Sequence, residues 1–342
     1  MVNRERIIKE FTRLASISSP AFGEGEISRY LVQRLQDLGA TVVMDDAGEK
    51  IGSQSGNLIA TFPANGKDSE PLLVSVHMDT VGPAEGVQPV LKDGVFTSAG
   101  ETILGADDKA GITEIVEALE VVREQNIPHG PLELVVSVCE EVGLLGVKHL
   151  DCSKVISRRG VALDTSGTDW LINTAPGANK MRFEIIGRES HAGIAPEQGI
   201  SAIAAAAKGV SAMRLGRIDH ETTANIGTFN GGEATNIIPR KVVLEGEATQ
   251  SQQRQTGRTD QAHDRLSGTS GPGRVTHIDG EQVEVVVSSE VTSDYPRMAV
   301  AADAAIVQLA QQAASAWAAL WKCATVAAAV TPISSTAMAS RR

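Results

Sequence analysis

Seven acidic and imidazole side chains stand in short clusters at the ends of apolar runs. LLVSV leads into His77-Met78-Asp79, LVVSV into Cys139-Glu140-Glu141, GVAL into Asp164, and Asp107-Asp108 opens a helical stretch. Each cluster has an ordinary reading when taken alone. A single His at a strand end is usually a satisfied rim residue, paired acids are common in solvated turns, and an Asp pair before a helix stabilises its N-terminus without any metal. Jointly they are harder to dismiss. Carboxylates gathered at one edge repel each other unless positive charge lies between them, and two divalent cations roughly 3.5–4 Å apart, clamping a water, are the standard solution. Asp79, two residues after His77, can hold the second imidazole nitrogen and fix its tautomer. Of the two adjacent glutamates, one can bind metal and the other can act as base.

The elements that must position these groups are legible around them. LLVSV at 72–76, LVVSV at 134–138 and GVAL at 160–163 are apolar runs rich in β-branched residues, which predicts central strands buried on both faces. A helix over about 109–124 carries Ile112, Ile115, Val116, Leu119 and Val122 on one face. Strand, helix, strand in that order predicts a parallel α/β arrangement, in which ligands collect outside the carboxyl ends of the strands. Helices are also predicted over 4–16 and 24–38, the second stopping at Gly39. After Pro176-Gly177 the texture changes. MRFEIIG, a helix near 200–213, TANIGTF and NIIPRKVVLEGEA predict a small α+β unit, and a helix from Ala301 to Ala314 returns the chain to the first domain. The expected fold is therefore α/β: a mixed, mostly parallel sheet flanked by helices forms a catalytic domain of residues 1–176 and 291–342. A smaller α+β domain of residues 177–290 is inserted into it, a ferredoxin-like lid or dimerisation domain by the family resemblance of its motifs.

Composition narrows the partners. With 42 acidic against 31 basic residues the net charge is -11, which disfavours a nucleic-acid partner. No run reaches the ~20 apolar residues of a membrane span. Three cysteines without a C-x-x-C pair, and an N-terminus without an apolar signal core, point to a reducing cytoplasm.

HMDTVGP, LGADDKAG, CEEVGLLG and ALDTSG resemble the metal-site motifs of the co-catalytic di-zinc exopeptidases. That family includes peptidase T, glutamate carboxypeptidases, aminoacylases and acetylornithine deacetylases. GADDKAG, SHAGIAPEQGISAI and GEATNIIP place the resemblance nearest the peptidase T-like branch, over residues 1–248 and again over 274–315. The resemblance implies two Zn2+ ions, with Co2+ or Mn2+ as alternatives. His77 and Asp164 would serve one ion, Glu141 the other, and Asp107 would bridge them. Glu140 would be the general base toward the bridging water, and Asp79 would orient His77. His191 would stabilise the tetrahedral intermediate, often across a homodimer built through the lid, and Asn236 would lie near the substrate, a small peptide. An amidohydrolase, carboxypeptidase or N-acyl amino acid deacylase of the same family is the alternative. A nucleotide-binding protein is disfavoured, because HMD occupies the turn where a phosphate loop needs glycines.

The pattern breaks twice. The family's C-terminal histidine ligand, preceded by a Gly-rich G-G-x-D-A-N segment, has no counterpart, since the last histidine is His277. The Arg-Ser expected after the GEA of the lid strand is replaced by Thr249-Gln250-Ser251. One cause accounts for both: residues 249–273 and 316–342 read as out-of-frame translation. AAVTPISSTAMAS back-translates so that a neighbouring frame spells GGGDANIFNSHGI, and TQSQQRQTGRTDQAHD likewise yields RSPNSGKLDEQIKHMT. The nucleotide sequence decides it, and the absence of such a frame removes the idea. The chain as written would be a poorly active or non-catalytic relic.

Overall fold

The first sheet is built around the apolar runs that end in acids. The computed structural model describes residues 1–168, 170–219, 222–250, 276–278, 281–316 and 321–325. Most of 249–273 and of 316–342, where the frame breaks are expected, lies outside the described residues. Among the described residues the chain divides into two units, one of Met1–Leu171 with those of Ala302–Lys322, the other of Ile172–Ala301 with 323–325.

In the first unit, β1 (Thr41–Met44), β2 (Leu58–Phe62), β3 (Leu72–His77), β4 (Leu132–Ser137) and β5 (Gly160–Ala162) form one sheet in the order β1-β2-β4-β3-β5. β3 runs parallel to both β4 and β5. β2 runs antiparallel to β1 and β4, so two of the four pairings are parallel. Leu134, Val136, Val76 and Met78 are buried, as expected for strands covered on both faces.

Helices α1 (Arg4–Ser16), α2 (Gly25–Asp37) and α3 (Ala106–Glu124) supply the covering side chains. Leu14, Ile27, Leu31 and Leu35 meet Ile112, Val116 and Leu119 in one core with Leu58, Val76 and Val136. Gly39, with φ 98, follows α2 in the left-handed conformation that glycine adopts without strain. The Asn3 side chain accepts the amides of Glu5 and Arg6 and so caps α1. Arg6 bridges from α1 to Glu117 and Glu124 of α3.

The second unit is an antiparallel sheet of β6 (Gly177–Ile186), β7 (Gly216–Arg217), β8 (Thr223–Gly231), β9 (Lys241–Gln250) and β10 (Val286–Tyr295), ordered β7-β8-β9-β6-β10. Helix α4 (Ala202–Ala212), N-capped by Ser201, lays Ala202 and Ala206 against Met181, Phe183, Ile185, Val242 and Leu244. A last helix, α5 (Ala305–Ala316), returns to the first unit. Among the described residues no helix is long and apolar enough to cross a membrane.

Candidate active site

β3 and β4 end side by side, and their last residues turn the chain toward a common point. His77 closes β3 and is 2% exposed. Its Nε2 lies 2.9 Å from Asp107 Oδ1 and 3.8 Å from Asp164 Oδ1. Ligand atoms of His77, Asp107 and Glu141 lie within 4.8 Å of one another, and so do those of His77, Asp108 and Asp164. The two triplets share the imidazole. Four stretches far apart in sequence thus deliver one nitrogen and four carboxylates to the carboxyl edge of the sheet.

The electrostatics of the cluster follow from its burial and its crowding of like charges. Burial alone would lower the His77 pKa, but the hydrogen bond to Asp107, with Asp79 and Asp164 beside it, pushes it up to about 12. Burial raises Asp164 to about 6, with the Asp107 and Glu140 charges adding to the shift. Asp108 is raised to about 8, chiefly by burial. Glu141 is raised by burial and then by Asp107. Asp107, hydrogen-bonded to His77, is lowered. Carboxyls raised by burial and by one another's charge are stabilised in the ionised form by nearby positive charge. Divalent cations would supply that charge, and a set of imidazole and carboxylate donors suits Zn2+.

Asp79 meets the imidazole through its main chain as well as through the carboxylate. His77 Nδ1 donates to the Asp79 backbone carbonyl at 2.9 Å, while the carboxylate stands back at 3.5 Å. The carboxylate also accepts the backbone N–H groups of Glu140 (2.8 Å) and Glu141 (3.1 Å). The turn after β4 offers those amides no strand partner, so a buried side chain receives them.

Asp108 is the residue that motif reading had left beside the site. Its Oδ2 accepts the His77 backbone N–H at 3.2 Å and its Oδ1 accepts that of Gly111, also at 3.2 Å. Gly111 permits this approach: a Cβ there would fall 2.3 Å from Asp108 Oδ1 and 2.4 Å from the Leu163 carbonyl. No period or spacing signals such a contact; a glycine three residues after an acid is the only trace.

His191 and Asn236 belong to the second unit. A short ladder joins Ser190–His191 to Ile237–Ile238, and Ala192 N–H donates to the Asn236 carbonyl at 2.8 Å. Both side chains are exposed. His191 Nδ1 accepts the Gly193 N–H at 3.2 Å, which leaves the proton of the neutral ring on Nε2.

Comparison with known proteins follows the same division. The peptidase dimerisation domain of the M20 group matches residues 173–256, and peptidase family M28 matches residues 57–168. The protein YqjE of Bacillus subtilis, uncharacterised, is 46% identical over 249 residues, covering 72% of this chain and 67% of that protein. The aminopeptidase PepT of Bacillus cereus superposes with a TM-score of 0.85 at 36% identity, over 99% of this chain and 88% of the other. A tripeptidase of Staphylococcus aureus gives 0.88 at 34%, with the same coverage. The match spans about half, 52%, of the length of the curated peptidase T of Escherichia coli. Identity of this order, sustained across two solved peptidases and both units of the fold, makes the chain a member of the M20 peptidases, in their peptidase T-like branch.

Proposed function

We propose that the chain is built as a zinc-dependent aminopeptidase for small peptides, acting on tripeptide-like substrates. The observation that carries this reading is the pair of donor triplets sharing His77 at the carboxyl edge of β3 and β4. His77, Asp107, Glu141 and Asp164 would hold two Zn2+ ions, with Co2+ or Mn2+ as substitutes. When bound, such a pair lowers the pKa of water toward neutrality and polarises the scissile carbonyl. Glu140 takes the proton from the attacking water and returns it to the leaving amine, as general base and then general acid. Asp79 holds the turn that carries Glu140 and Glu141. The roles of His191 as an oxyanion donor and of Asn236 toward substrate rest on the resemblance of SHAGIAPE and ATNIIP. The names of the solved relatives, an aminopeptidase and a tripeptidase, support the substrate class. The reading includes a homodimer formed through an inserted domain of residues 177–290, and a cytoplasmic setting in which the three thiols stay reduced.

Unblocked tripeptides assayed against N-acyl amino acids, with zinc or cobalt added, test the reading. Turnover of the tripeptides alone supports it. Turnover of only the acylated substrates shifts the assignment to an amidohydrolase of the same family.

A second reading, a catalytically impaired chain, is favoured by one observation: AAVTPISSTAMAS stands where the resemblance calls for the Gly-rich segment that leads to the family's C-terminal histidine ligand. Metal analysis of the purified chain separates the two. Two ions per chain support the enzyme, and none supports the relic.

A further inference from the structure

Four consecutive backbone amides follow the last residue of β4, and each is received by a buried side-chain oxygen from another part of the first unit. Val138 N–H donates to Asn57 Oδ1 at 3.2 Å, Cys139 N–H to Glu24 Oε1 at 2.9 Å, Glu140 N–H to Asp79 Oδ1 at 2.8 Å and Glu141 N–H to Asp79 Oδ2 at 3.1 Å. Glu24, Asn57 and Asp79 are all 0% exposed. A buried amide without a partner is costly, so this turn has its path dictated by where the three side chains stand.

Glu24 has the strongest hold among the residues not yet given a role. Besides the Cys139 amide, its Oε1 accepts the Cys139 thiol at 3.1 Å, while Oε2 accepts the Ser53 hydroxyl at 2.6 Å. The Phe22 amide reaches the same sulfur at 3.2 Å. Cys139 itself has φ 50, a left-handed conformation that a non-glycine residue keeps only when its surroundings impose it. That residue sets the direction in which the chain leaves β4, immediately before Glu140 and Glu141.

We propose that Glu24 is a positioning residue for the Glu140-Glu141 pair, acting through the left-handed Cys139. This rests on the reading of Glu140 as base and Glu141 as metal ligand. Glu24 touches neither substrate nor ion; it fixes the turn that presents both glutamates, as outer residues commonly fix the ligands of a metal site.

The experiment uses the full chain with Glu24→Ala and Glu24→Gln, the second retaining an oxygen able to receive the Cys139 amide. Zinc affinity is measured by competition with a chromophoric chelator, and backbone amide exchange by mass spectrometry. Glu24→Ala weakens zinc binding about tenfold and speeds exchange at 138–141, while β3 and β4 keep their protection. Glu24→Gln restores both toward the parent. Unchanged zinc affinity in Glu24→Ala, faster exchange spread evenly through β3 and β4, or a Gln variant as impaired as the Ala variant each overturns the proposal. Should the parent chain bind no zinc, the functional reading fails, and the exchange comparison alone decides whether Glu24 positions the turn.

Discussion

Asp79 divides its polar atoms between two neighbours, the main-chain carbonyl for His77 and both carboxylate oxygens for the turn at Glu140 and Glu141. Removing the carboxylate therefore leaves two buried amides without acceptors. Asp79→Ala is expected to lower stability by roughly 2 kcal/mol and zinc affinity by about 10–100-fold, read by urea unfolding and by metal titration. Asp79→Asn, which keeps one oxygen, should fall between it and the parent. Equal affinities in all three would leave Asp79 with no part in holding the site. The candidate donors His77 and Glu141 follow runs legible as buried strands; GVAL before Asp164 also reads as a central buried strand, but β5 lies at the sheet edge and is only half-buried. How Asp79 would be used was not legible. Sequence spacing places a carboxylate near an imidazole, but which of its atoms makes the bond depends on the path of a turn. Glu24 and Asn57 were invisible for the same reason: an acceptor for a distant backbone amide leaves no period.

Helix α3 must come close to the end of β5 for Asp108 to reach His77, and Gly111 is where the two elements touch. A methyl group there meets the Asp108 carboxylate and a main-chain carbonyl that cannot move aside. Gly111→Ala is accordingly expected to destabilise the fold by about 1–3 kcal/mol, despite alanine's better helix propensity; a neutral result in urea unfolding would mean that the helix shifts freely. At its far end α3 is tied to α1 through Arg6. The guanidinium holds the Glu117 carboxyl below its ordinary value, with the Asn3 amide adding to the effect. A carboxyl whose folded pKa is depressed contributes stability above its unfolded pKa, about 4.3, and loses it as pH falls through the folded value. The stability gap between the parent and Arg6→Ala should therefore be present at pH 7 and shrink as pH drops below about 4. A gap independent of pH would assign the loss to packing of the Arg stem. Helices α1, α2 and α3 were legible through their apolar faces. The strands β1 and β2, with their antiparallel pairings, were not anticipated, since TVVM and LIATF lie among turn residues and flank no acid that drew attention.

At the scale of the whole molecule, the second unit begins at Ile172, a few residues before the change in texture after Gly177, and β10 escaped the sequence reading because VVSSEVTSDY is too polar to read as a buried strand. Its neighbour β6 has the alternation of a one-sided sheet. A sheet packed by one helix leaves apolar groups elsewhere on its surface. Phe229 on β8 is 42% exposed and Ile203 on α4 is 37% exposed, and the Ile203 side chain lies beside Gly232, just past the end of β8. Exposed aromatic and aliphatic groups of this kind are enriched at protein interfaces. The homodimer proposed above, in line with the match of residues 173–256 to a peptidase dimerisation domain, would bury them. Sedimentation velocity should then show a dimer whose population rises with concentration, and Phe229→Glu combined with Ile203→Glu should shift it at least tenfold toward monomer, a charge in a desolvated contact costing more than the roughly 1.4 kcal/mol that a factor of ten requires. The proposed zinc ligands are residues of the first unit, so metal binding should survive the double substitution. A parent chain that sediments as a monomer at every concentration, or a double variant as dimeric as the parent, removes this surface from the interface.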